Sequence, residues 1–234
     1  MSVDHADNAI ESFLELERRF EDFVRAVPIA PEHNRVHSPL LASILLDTCS
    51  LIETVLKSTM ENARYNGIQN IANIRGMRHS QNPPYLNIGH LKTVFRPDMF
   101  YGKPVWYLPR GESSFPWYLW RNQNGHPRWW DEYNSVKHSR FENASKATLL
   151  TTLHALKGLF LVLVQSLEFR DRLVERGVVR AKDLRMQQLR AYVQSWEPFH
   201  VAWQNPIVAT TKLFGYKFLT DGSPNRASDP TIFL

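Results

Sequence analysis

An all-α fold, a helical bundle elaborated by a long aromatic-rich insertion, is what this sequence predicts. Three observations carry that expectation. Two long segments, 38–66 and 143–175, are apolar over wide faces; an amphipathic segment, 9–27, precedes them; and the stretch between the two long segments is broken by Pro and Gly and holds no long periodic run. The 234 residues read as one helical domain, 1–234, with 67–128 inserted between core helices, and that length buries a sizeable core without covalent staples. A short β-hairpin near the C-terminus is a departure from helix within this fold class.

In order along the chain, segment 9–27 repeats Ile10, Phe13, Leu14, Phe20, Phe23, Val24 and Val27 close to every 3.6 residues, and Pro28 ends it. The second segment opens with Ser38 as N-cap and Pro39 at the first helical position, then runs through Leu41, Ile44, Leu45, Ile52, Val55, Leu56 and Met60 to stop near Gly67. It is apolar around much of its circumference, which predicts a central helix. From 67 to 127 seven prolines and recurrent glycines break the pattern. Only short helices at 68–77 and 88–95 and a strand at 105–108 are expected there. Loops of this length are uncommon unless functional or disordered, and residues 101–130 hold Trp106, Trp117, Trp120, Trp129 and Trp130, so the insertion is expected to be ordered and its rings buried. Helix resumes at 143–175 with Ala147, Leu153, Leu156, Phe160, Leu163 and Leu167 on one broad face, and Gly177 closes it. Segments 38–66 and 143–175 should pack side by side, because neither can be left in water. A further helix over 181–196 and a strand pair within 208–218 complete the reading.

Composition bounds the function class. The apolar share of 43% and charged share of 22% belong to an ordinary globular protein. Cys49 is the single cysteine, so an intrachain disulfide and a four-cysteine zinc site are excluded and a reducing, cytoplasmic setting is expected. The acidic N-terminal residues lack the apolar run of a secretory signal. The most apolar run, 158–164, is far shorter than the roughly 20 residues that cross a bilayer, so no membrane is expected. Charge is uneven: residues 1–65 carry 6 Lys/Arg against 11 Asp/Glu, and the remainder 22 against 12. A polyanion would therefore meet the later part of the chain.

The residues that carry chemistry concentrate in Trp129-Trp130-Asp131-Glu132-Tyr133-Asn134-Ser135-Val136-Lys137-His138-Ser139-Arg140. On a helix Asp131, Asn134 and His138 share one face, while Tyr133, Lys137 and Arg140 line a neighbouring one. Such a surface could hold a phosphate and move a proton. The alternative is that the tryptophans are core and the polar residues cap and solvate a short helix. His33-x-x-x-His37 has zinc-ligand spacing, but Pro31, Ser38 and Pro39 place it in a loop, so neither a metal nor a cofactor is expected. Arg75-Gly76-Met77-Arg78-His79 reads as a solvated loop.

A long apolar helix containing Ser50-Leu51-Ile52-Glu53, a variable middle, and then Trp130-x-x-Tyr133-Asn134-x-x-Lys137-His138-x-Arg140 leading into an Ala- and Leu-rich helix resembles the HEPN group of helical domains of prokaryotic toxins, defence proteins and nucleotide-associated proteins. The resemblance covers 38–66 and 129–175, under half of the chain. It implies a four- or five-helix bundle, a homodimer with facing motifs, RNA or nucleotide as ligand, and an antitoxin or other protein partner. Active members cleave RNA without a metal, through an arginine four to six residues before a histidine. His138 matches that histidine. The arginine has no counterpart, since Asp131, Glu132, Tyr133 and Asn134 precede His138 and the nearest upstream arginine is Arg128.

In cleavage by the 2′-hydroxyl, His138 would transfer the proton, Lys137 or Arg140 would stabilise the phosphorane, and Asn134 would orient imidazole or phosphate. Asp131, Tyr133, Trp130, Arg128 and Glu53 are the candidate binding residues around these, with Glu53 poised to pair with a motif cation. The competing reading is a catalytically silent helical interaction module that docks a protein partner through the aromatic insertion.

Overall fold

A computed structural model describes residues 3–61, 88–94, 100–122, 125–181, 184–193 and 207–218. The expected short helix at 68–77, the loop at 75–79 and the end of the helix expected over 181–196 lie outside the described residues. Eight α-helices are described: α1 Val3–Ala26, α2 Pro39–Glu61, α3 Ile88–Val94, α4 Arg128–His138, α5 Arg140–Asn143, α6 Leu149–Gln165, α7 Leu167–Glu175 and α8 Met186–Val193. The strands are β1 Val105–Tyr107, β2 Glu112–Ser114, β3 Val179–Arg180, β4 Val208–Thr210 and β5 Phe214–Lys217.

The strands overturn the all-α expectation. They form one antiparallel sheet in the order β2-β1-β5-β4-β3, which makes the fold mixed α and β. The β4–β5 hairpin is the one expected near the C-terminus, and β1 from the insertion pairs with it through Trp106 opposite Gly215 and Tyr107 opposite Phe214. β1 turns into β2 through Pro109 and Arg110, closed by Gly111 at φ 60°, a backbone shape that favours glycine. β1 and β5 lie against α6, so the sheet covers one side of the helical core. Glu17 of α1, nearly fully buried, fastens the hairpin turn by accepting from the Thr211 hydroxyl and from the Leu213 amide at 2.8 Å. Burial pushes its carboxyl above the usual range, with those hydrogen bonds opposing.

The helices follow their local chemistry. Ser38 Oγ accepts the Leu41 amide at 3.1 Å ahead of Pro39, starting α2 where expected. α2 packs along α6, and α1 crosses both. Among the described residues α2 is the one single helix long and apolar enough to cross a membrane by length and composition, and half of that apolar window is buried inside the fold. The helix expected over 143–175 is three pieces. Residues 144–146 form a 3₁₀ turn; Thr148 then caps α6 by accepting the Thr151 amide at 3.2 Å. At Ser166 the backbone leaves the helix and α7 turns by 94°. Arg170 makes this corner stable. Its guanidinium donates to the Val164 and Gln165 carbonyls, each at 3.1 Å, pairing groups that a continuing helix would have used.

Lys157 on α6 is 3% exposed and donates to Ser114 Oγ at 3.0 Å. Burial holds its amine down to about 8 from 10.5, the Glu112 carboxylate opposing. Below about pH 8 the amine is charged in folded and unfolded chains alike, and the folded state bears the full cost of burial. Between about 8 and 10.5 the unfolded chain binds the extra proton, so stability rises with pH. Lys157→Met is therefore expected to be more stable than the parent at pH 7, by up to about 3 kcal/mol, and to lose that rise. Denaturant titrations at pH 7 and pH 10 check it; a variant less stable at pH 7 with the rise intact contradicts it.

Candidate functional site

The motif segment folds as α4, which begins after Pro127, whose carbonyl accepts the Trp130 amide at 2.8 Å. Trp129, Trp130, Tyr133 and Val136 fall on one face and are buried against α2 and α6. Around them the insertion supplies an aromatic stack. Trp117 lies 4.4 Å from Trp120, 5.0 Å from Trp129 and 5.3 Å from Phe100, ring centre to ring centre. Trp129 Nε1 donates to the Pro116 carbonyl at 2.9 Å, and Trp117 Nε1 to that of Gly158 at 3.2 Å. Gly158 is required there, since a Cβ would stand 2.9 Å from Trp129 Cζ2. The described part of the insertion at 100–122 thus packs around its tryptophans, and α4 is held by its apolar face.

The opposite face is open, above all at its C-terminal end. Lys137 and His138 are exposed and Asn134 is half-buried. Asn134 has no hydrogen bond to another side chain among the described residues. Lys137 Nζ lies 3.9 Å from Glu53 Oε1 of α2 and 5.2 Å from the centre of the Tyr133 ring, while Glu53 also faces Lys57 at 3.7 Å. The expected pairing of Glu53 with a motif cation is thus what the structure places here. Burial pushes the Tyr133 phenol up, with the Lys137 contact opposing, and burial pushes the Cys49 thiol beneath them well above its ordinary range. Cys49 stays a neutral thiol and not a nucleophile.

Other expected residues are placed apart from this end. Trp130 and Tyr133 face the core, so Trp130 offers no ring to a ligand. Asp131 is 3.5 Å from His126 Nδ1 near the start of the helix. Arg128 pairs with Glu132 at 3.0 Å, and Glu132 in turn accepts from the Thr151 hydroxyl. With a rise of 1.5 Å per residue, Arg128 stands about 15 Å from His138 along the axis, too far for the two side chains to act on one phosphate. Arg140 does not extend the Tyr133–Lys137 line, which corrects the expectation of a shared face. Ser139 is extended, at φ −150° and ψ 74°, and ends α4. Arg140 begins α5, which is folded back because Asn143 Nδ2 donates to the Ser135 carbonyl at 3.1 Å and Ser139 Oγ to Glu142 at 2.6 Å. Ser139-x-x-Glu142 has the spacing of a capping box, a signal for this break that is visible in sequence, although here the two side chains bond each other and the Ser139 hydroxyl caps no backbone amide.

His33 and His37 do not share a helix: His33 Nδ1 is 2.7 Å from the Pro28 carbonyl in a 3₁₀ turn, and His37 bridges to Thr148. Among the described residues no three His, Cys, Asp or Glu side chains are grouped to hold a metal ion. A separate cleft of about 270 Å³ opens between α1, α2 and α7 over Ala9, Leu51, Val55 and Phe169, with Ser12 and Thr54 among its polar lining; it contains none of the motif residues. Comparison of the chain with protein-family models, with curated proteins and with solved structures finds no match.

Proposed function

We propose that this chain is a HEPN-like cytoplasmic protein of toxin or defence type, and that it binds RNA at the C-terminal end of α4. The observation that supports this most is the division of α4. Its apolar face is committed to the core, while Lys137 and His138 stand open beside half-buried Asn134. Arg140 and Lys146 follow within two short turns, both exposed, and no ion pair occupies either among the described residues. Cations gathered at one end meet phosphates, and an imidazole among them supplies proton transfer.

The same reading extends to metal-independent endoribonuclease chemistry. His138 takes the proton of a 2′-hydroxyl, the 2′-oxygen bonds to the adjacent phosphorus, and the bond to the 5′-oxygen breaks. The imidazolium so formed returns its proton to that oxygen, leaving a 2′,3′-cyclic phosphate and a 5′-hydroxyl. Lys137, held by Glu53, stabilises the extra negative charge of the phosphorane. A homodimer with facing motifs and an antitoxin partner belong to this reading as well. One observation favours the silent interaction module instead: Phe115, Tyr118 and Leu119 remain exposed on one turn of the insertion.

Titrating a fluorescein-labelled single-stranded RNA across a salt series separates the two. The parent is expected to bind with strong salt dependence. Lys137→Ala is expected to bind more weakly and to flatten the log–log salt slope by about 0.7, the share of one phosphate contact on a single strand. Absence of RNA binding, or a Lys137→Ala slope equal to the parent's, favours the module.

A further inference from the structure

Phe141 is the outlier of the surface: its relative exposure is 101%, against at most 60% for any other exposed large hydrophobic residue among the described ones. It projects from α5 three residues beyond His138, between exposed Arg140 and exposed Glu142, with exposed Lys146 on the turn that follows. Glu142 accepts from Ser139 Oγ at 2.6 Å, and Asn143 ties α5 to the Ser135 carbonyl of α4 at 3.1 Å, so the ring is carried on a braced turn. An aromatic ring wholly in water, flanked in sequence by Arg140 and by Glu142, whose carboxylate is bonded to Ser139, lacks a packing role in this chain. Both of its faces are free to stack, and its surroundings attract phosphate.

We infer that Phe141 is a stacking platform for an unpaired base next to the phosphate held at the end of α4, which makes single-stranded RNA the substrate class. This rests on the RNA-binding reading above. The chemistry selects the strand: bases of a duplex already stack on one another and present only their edges, whereas an unpaired base can lay its face on a ring. Arg140 and Lys146 on either side of the ring in sequence supply charge for the flanking phosphates. Stacking of this kind tolerates any base, so the preference is for strandedness and not for sequence.

The test measures affinity of the purified full chain, Phe141→Ala and Phe141→Trp for a fluorescein-labelled RNA of mixed sequence, single-stranded and annealed to its complement, with solution mass read alongside. Because Phe141 touches no core, all three should melt at the same temperature. The parent is expected to prefer the single strand. Phe141→Ala should weaken that binding about 5- to 150-fold and lose the preference, while Phe141→Trp retains both. If the parent binds RNA and Phe141→Ala binds the single strand equally well, the platform is overturned and the RNA reading stands. If instead Phe141→Ala keeps its RNA affinity and halves the solution mass, Phe141 is a contact between protein copies and the proposal is wrong. A parent that binds neither RNA defeats the RNA reading itself, and this inference with it.

Discussion

Trp117→Ala is expected to lower the unfolding free energy by about 4 kcal/mol, the usual cost of deleting a buried Trp side chain. The ring is fully buried, stacked with Phe100, tilted against Trp120 and set edge-on to Trp129, and its N–H donates to the Gly158 carbonyl. Removing it leaves a cavity under α4 and deprives the Gly158 carbonyl of its second donor, the helical bond from Val162 remaining. For a chain of this size the melting temperature should fall by about 8–16 °C. Trp117→Phe should recover most of the stacking and lose mainly the hydrogen bond, about 1 kcal/mol. Chemical unfolding followed by circular dichroism checks both. A Trp117→Ala variant within 1 kcal/mol of the parent would mean that the insertion does not support the motif helix as described.

The largest expected effect on activity belongs to His138→Ala. RNA cleavage should fall by about 10²- to 10⁴-fold, the usual cost of losing a positioned proton-transfer group. The melting temperature should stay within about a degree, because an exposed residue at a helix end contributes little packing. The pair of readouts matters more than either alone. A fully active variant ends the catalytic reading while leaving RNA binding untouched; an unfolded one shows that the imidazole is structural.

Much of the helical frame was legible because its signals are local. Ser38-Pro39 announced α2, Pro28 ended the first helix, and Gly177, at φ 68°, closes the run after α7. The breadth of apolar surface on α2 and α6 announced that they pack together. The sheet was illegible as a whole because its strands are two to four residues long, too short for alternation to register, and because β1 finds β5 more than a hundred residues away. The hairpin, whose strands are neighbours, and the isolated run at 105–108 could be read; β2, β3 and the pairing of β1 with β5 could not. Ser166 hid for a related reason. The apolar pattern runs straight through it, and the residue that stabilises the corner, Arg170, does so by reaching back to two carbonyls.

At the candidate site, Lys137 and His138 share the exposed end of α4, whereas Arg128, Asp131, Trp130 and Arg140 stand elsewhere. The pairing of Glu53 with Lys137 was anticipated from the burial pattern of α2. Helical spacing sets Arg140 on a continuing helix, whereas the non-helical backbone at Ser139 ends α4 and Arg140 opens α5. Trp130 and Tyr133 were counted as ligand contacts, although their spacing from Trp129 and Val136 is that of a core stripe. Phe141 drew no notice, since nothing in a sequence distinguishes a wholly exposed phenylalanine from a buried one.

RNA is expected to meet the chain at the end of α4, and mapping the contact checks this without recourse to a variant. Photocrosslinking of a 4-thiouridine-substituted single-stranded RNA to the full chain, read by peptide mass spectrometry, should place the adducts on the peptide spanning Lys137 to Lys146. Adducts confined to the cleft lined by Ser12, Leu51 and Thr54, or the absence of adducts at saturating RNA, would contradict it.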